Sequence, residues 1–237
     1  MPKPFPTRRL ASVVLTLAAF GAGSPGRVIA QSLRSVRCVG ETRHYLLSAP
    51  PGNAAAPAIL LLHGAGGHAG DLVALWSAFA ASHDVVLLAP ELPRVAAFED
   101  VAPQVFRCIV EDAKTAAKID PRRVYVFGHS MGGYLAYDAA MFESDYFAAV
   151  VAHAAGIADE YAGILARARR KIPIAILVGD QDAPGTLNAA RKTRDLLTQA
   201  GFPVTFEELA GHGHNFGTYA DRIIRDAWTF LEPQRLP

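Results

Sequence analysis

The sequence predicts an α/β protein, a mostly parallel sheet covered by helices on both faces. Three observations lead there. Strand-like runs alternate with helix-like segments, the pattern of parallel strands joined by helical crossovers. Several runs, among them 58–62, 85–88, 124–127 and 174–178, are apolar without alternation, as strands buried on both faces are. And 237 residues, 51% hydrophobic and 19% charged, supply the core of one large domain and argue against disorder.

The elements follow in order. A strand is predicted over 43–48, ended by Pro50-Pro51-Gly52-Asn53, because such residues favour turns. The apolar run 58–62 is a central strand, 71–81 has helical composition, and 85–88 is the next buried strand. The spacing of Val105, Ile109, Val110 and Ala113 predicts a helix over 103–118, stopped by Asp120-Pro121. A strand at 124–127, a helix over 133–141 and strands at 147–151 and 174–178 come next. A helix over 187–200, a strand at 204–208 and a helix over 219–231 close the chain. The basic segment 159–171 is helical and long enough for a small cap, not a lid domain.

Residues 1–30 stand apart from the domain at 31–237. Lys3, Arg8 and Arg9 precede an apolar stretch over 10–22, and Val28-Ile29-Ala30 follows. These are the three parts of a secretory signal peptide, with cleavage expected before Gln31 and a periplasmic or secreted product. The apolar stretch is short of the about 20 residues of a membrane span, so no membrane attachment is expected after cleavage. Arg8-Arg9 leaves both the general and the twin-arginine routes open. Residues 31–237 then hold 19 basic against 22 acidic groups. With no basic block, a nucleic-acid partner has no electrostatic support. Cys38 and Cys108 are the only cysteines, and both a disulfide and two buried thiols stay open.

Gly128-His129-Ser130-Met131-Gly132-Gly133 lies between a predicted strand and a predicted helix, the context of a G-x-S-x-G nucleophile elbow. Ser130 is the expected nucleophile. The helix beginning at Met131 aims free N–H groups and its positive end at a developing oxyanion. His63-Gly64-Ala65-Gly66-Gly67 follows the strand 58–62, where the fold places its other oxyanion donor. Ala65 and Met131 are the expected donors, and His63 is read as an orienting residue. After the strand 174–178, Asp182 is preferred as the acid and Asp180 is the fallback. After the last strand, His214 is preferred as base to His212, being deeper in its loop and just before Phe216. The order Ser130, Asp182, His214 is that of the α/β-hydrolases. Tyr134, Phe98, Trp76 and Phe216 are aromatic candidates for the pocket. A zinc cluster from His63, His68, His129, His212 and His214 lacks any H-E-x-x-H or paired C-x-x-C spacing, so no metal and no cofactor are expected.

Arg43-His44-Tyr45-Leu46-Leu47 before Ala49-Pro50, the loop at His63, and Ile119-Asp120-Pro121-Arg122-Arg123-Val124 leading into Ser130 resemble the secreted polyhydroxybutyrate depolymerase and feruloyl esterase group. Dienelactone-hydrolase-like esterases blur into it. The resemblance covers about 35–231. It implies the α/β-hydrolase fold without a large lid, hydrolysis of a carboxylic ester, and Ser130, Asp182 and His214 as nucleophile, acid and base. The chain lacks the group's long insertion or added substrate-binding domain, so the expected substrate is a small soluble ester. A prolyl-oligopeptidase-type peptidase or an acyltransferase uses the same three residues. A non-catalytic binding protein on a hydrolase fold is the alternative of another class, although all three residue types are retained. The oligomeric state is left open.

Overall fold

The computed structural model describes residues 30–93, 101–157 and 159–237. Nearly all of the expected signal segment lies outside these residues, as does Phe98. Eight strands form one sheet: β1 Ala30–Cys38, β2 Glu41–Ala49, β3 Ala56–Leu62, β4 Val86–Pro90, β5 Ile119–His129, β6 Ala149–His153, β7 Ile174–Gly179 and β8 Val204–Leu209. Their order across the sheet is β1-β2-β4-β3-β5-β6-β7-β8. β2 runs antiparallel to both its neighbours, and the pairings from β4 to β8 are parallel. β3, β4, β6 and β7 are buried along their whole length, because helices cover both faces.

Helices α1 (Ala69–His83) and α5 (Ala220–Leu231) cover one face. In α5, Ile223, Ile224, Ala227, Trp228 and Leu231 are buried, the spacing that puts one apolar stripe on the sheet. Trp76 of α1 is fully buried and meets Phe127 of β5 edge to face, with ring centroids 5.1 Å apart. The other face is covered by α2 (Gln104–Ala113), α3 (Met131–Phe142) and α4 (Pro184–Gln199). The segment predicted as a basic helical cap is a short 3-10 helix, Asp159–Arg167. Among the described residues no helix is long and apolar enough to cross a membrane.

Three differences from the sequence reading have local causes. β1 was not predicted, and its burial alternates between exposed and half-buried along most of its length, so it carries little apolar signal. Helix α2 ends at Ala113, and β5 already begins at Ile119. Pro121 thus lies inside a strand. It has no N–H for the ladder, and the pairing jumps from Ala56↔Ile119 to Ala58↔Val124 around it. The Asp120 carboxylate closes this irregularity, accepting from the Arg122 N–H and from Arg123 Nε.

The edge strand β1 is fastened twice. Cys38 at its end is disulfide-bonded to Cys108 of α2, with Cα atoms 6.0 Å apart. Arg34 Nε donates to the Asp112 carboxylate and to the Tyr45 hydroxyl, and that hydroxyl donates to the same carboxylate at 2.6 Å. β1 is thereby joined to β2 through Tyr45 and to α2 through Cys108 and Asp112. The β1–β2 turn is Val39-Gly40, both at positive φ, 49° and 85°, which suits a two-residue hairpin but not a β-branched side chain.

Replacing both cysteines by serine is expected to cost about 4 kcal/mol in the chain-entropy account of a closed loop this long, read by urea unfolding without reductant. Val39 is 61% exposed and packs on little, so Val39→Asn is expected to raise stability by about 1 kcal/mol, seen as a higher thermal midpoint.

Candidate active site

β5 runs into α3 through one residue. Ser130 stands between His129 and Met131 at φ 54°, ψ −119°, a conformation that a non-glycine residue holds only under constraint. The constraint is visible at two glycines. A Cβ on Gly128 would lie 2.1 Å from the Gly132 carbonyl oxygen, and one on Gly132 would lie 2.0 Å from that of Leu62. Only bare backbone lets α3 start this close to β3 and β5. The Ser130 N–H donates to the His153 carbonyl at 2.9 Å, fixing the turn against β6.

His214 Nε2 lies 2.8 Å from Ser130 Oγ, and His214 Nδ1 lies 3.0 Å from each oxygen of Asp182. A carboxylate only accepts, so Nδ1 carries the proton and Nε2 is left to accept from the serine hydroxyl. The Asp182 side chain is sealed from solvent while that of His214 is 38% exposed. Asp182 also accepts the Ala183 N–H at 2.6 Å, just ahead of α4. The two aspartates divide their work. Asp182 meets the imidazole, and Asp180 accepts the Gly211 N–H at 2.7 Å, pinning the loop that carries His214. His212 does not reach Ser130; it points inward, 2% exposed, with Nε2 3.0 Å from Nε2 of His153.

The loop after β3 is fixed by its histidine. The Leu92 N–H donates to His63 Nε2 at 3.0 Å, so Nδ1 carries the proton and donates to the Gly64 carbonyl at 2.9 Å. That tie holds the glycine loop open beside Ser130. Met131 is the first residue of α3, and its N–H therefore has no acceptor within the helix. A cavity of about 310 Å³ lies above the serine, lined by residues 63–67, Asp71, Leu72, Leu75, His129, Ser130, His214, Asn215 and Phe216. Of the aromatic candidates, Phe216 lines it. Trp76 belongs to the core, and Tyr134 is exposed outside this cavity.

Sequence reasoning missed His153. It ends β6 beside His129 at the end of β5, and a histidine closing an apolar strand is the signal available. Burial, with the nearby charges of His214 and His212, pushes the His129 imidazole down to about 4. Burial likewise holds His153 well below, and His212 below, the ordinary histidine range. The cluster is thus uncharged near neutrality. Among the described residues no group of His, Cys, Asp and Glu is arranged to hold a metal ion.

The profile of the Dienelactone hydrolase family matches residues 93–228. NocK of Nocardia uniformis subsp. tsuyamanensis, a protein named as an esterase, is 31% identical over 166 residues, covering 63% of this chain and 48% of NocK. The chain thus spans about half the length of that relative. Among solved structures, a thermostable esterase superposes with a TM-score of 0.71 at 20% identity, over 86% of this chain and 63% of that one. The S-formylglutathione hydrolase FrmB from Staphylococcus aureus gives 0.71 at 18% identity, over 89% and 99%. A ferulic acid esterase gives 0.62 at 16%, over 86% and 97%. At these identities the likeness is one of fold, and the fold is that of the α/β-hydrolases.

Gly132→Ala is expected to cost about 3 kcal/mol through overpacking, read by urea unfolding. A histidine held below its unfolded value binds protons more readily in the unfolded chain. Stability therefore falls as pH drops from about 6.5 towards 4, by about 3 kcal/mol from His129 alone. Unfolding at pH 7 and pH 4.5 checks this, and His129→Gln is expected to flatten the slope.

Proposed function

The chain belongs to the dienelactone hydrolase family, and from that premise we propose that it is a serine hydrolase of small, uncharged carboxylic esters. One observation carries the reading: the unbroken hydrogen-bonded line from Ser130 Oγ through His214 to Asp182, at 2.8 and 3.0 Å, set on a turn whose strain projects the serine. The cavity supports a small substrate, since about 310 Å³ is at the low end of ligand pockets. Its lining of glycine, leucine, histidine and phenylalanine, with Asp71 as its carboxylate, favours a neutral ester over an anionic one.

The proposed reaction is a two-step acyl transfer. His214 takes the Ser130 proton as Oγ attacks the ester carbonyl, and Asp182 supports the imidazolium that forms. The N–H groups of Ala65 and Met131 receive the oxyanion, each worth about 3–4 kcal/mol in the transition state. The alcohol leaves with the proton from His214, giving an acyl-serine. Water, activated by the same imidazole, then releases the acid and restores Ser130. None of these steps calls on a cofactor. The disulfide between Cys38 and Cys108 supports an exported protein, because such bonds persist outside the reducing cytosol.

Hydrolysis of short p-nitrophenyl esters tests the reading. Ser130→Ala is expected to lower kcat by at least about 10⁴-fold and to abolish labelling by a fluorophosphonate. Asp182→Asn is expected to lower kcat by about 10⁴-fold with the fold intact. Wild-type protein without serine-dependent turnover of any acyl length would sink the proposal.

A further inference from the structure

His129, His153, His212 and His214 stand together at one edge of the sheet, and the proposed reaction employs His214 alone of these. His129 closes β5, His153 closes β6, and the parallel register sets them side by side. Nδ1 of His129 lies 2.9 Å from Nδ1 of His153, and Nε2 of His153 lies 3.0 Å from Nε2 of His212. His153 and His212 are 0% and 2% exposed. Each pair of nitrogens needs one proton, so an uncharged His153 donates at one nitrogen and accepts at the other. Both bonds are satisfied with either end of the chain as donor.

The chain spans three separate pieces of backbone. It joins the strand that ends at the nucleophile, the next strand, and the loop that carries the base. Phe216 adds a second grip, its ring 4.7 Å from that of His129 and 5.0 Å from that of His153. His212 and Phe216 bracket His214 in sequence, two residues to either side. Holding both therefore fixes the segment between them. A base displaced by about 1 Å from its nucleophile costs on the order of a hundredfold in rate.

We infer that His129, His153 and His212 form a hydrogen-bonded tie that holds the His214 loop against the nucleophile strand, with His153 as a positioning residue for ester hydrolysis. This rests on the Ser130–His214–Asp182 reading given above. His153 lines no part of the cavity, so it acts through its neighbours and not on substrate.

Hydrolysis of p-nitrophenyl acetate by the wild type, His153→Phe and His153→Gln tests the tie. Phenylalanine keeps a flat ring and removes both nitrogens, whereas glutamine loses the ring but still donates and accepts. The expected result is a kcat lowered roughly ten- to hundredfold in His153→Phe, KM within about twofold, and recovery of most of the loss in His153→Gln. Unchanged kcat in His153→Phe, or equal losses in both variants, overturns the inference. A second measurement needs neither activity nor a folded variant. In wild-type protein labelled with ¹⁵N-histidine, scalar couplings across the two N–H···N bonds are expected, and their absence also overturns it. If the wild type shows no Ser130-dependent turnover, the esterase reading fails by itself, while the couplings still decide whether the tie exists.

Discussion

Backbone touches backbone where β3, β5 and α3 meet, with no side chain in between. At Gly132 the space a Cβ would need is filled by the Leu62 carbonyl, and at Gly128 by the carbonyl of Gly132. That approach decides where α3 can begin. It also forces the intervening residue into a conformation that side-chain-bearing residues avoid, so Ser130 stands clear of both elements. The strain at one residue is sustained by the burial of the strands and helix on either side. Tyr125, Val126 and Phe127 before the turn are fully buried, as are Ala136 and Tyr137 after it.

From that fixed point the site is assembled by the sheet. Parallel strands that share a register end at a common edge, and β5, β6 and β7 end at His129, His153 and Gly179. The loop after β7 supplies Asp182 and the loop after β8 supplies His214, which reach across to Ser130. Each loop is tied back to its neighbours: His63 to Leu92, Asp180 to Gly211, and the Gln181 N–H to the His212 carbonyl. Loops held in this way owe their positions to one another as well as to their own sequences.

This is why some of the site was legible in the sequence and some was not. Ser130 announces itself because the constraint on it is local: the glycines two residues before and after it are part of the same turn. The alternation of strands and helices was legible for the same reason. Choosing between His212 and His214, or Asp180 and Asp182, depends on which side chain faces Ser130 across two loops, and spacing alone carries only part of that. His153 left no mark beyond its place at the end of an apolar run, since its partners are 24 and 59 residues away. β1 escaped notice because an exposed edge strand needs little apolar surface. Pro121 reads as a breaker, yet the strand absorbs it in a break of register.

The fastening of β1 has a bearing on the order in which the molecule comes together. A ribosome delivers the chain amino end first, so Cys38 emerges 70 residues ahead of the cysteine it bonds. β2 likewise waits for β4, since β3, the strand between them in the chain, lies on the far side of β4 in the sheet. The hairpin β1–β2 is therefore made before α2 and β4, the elements that fasten it. The bond to Cys108 can close only once α2 has been made, and it persists wherever thiols stay oxidised.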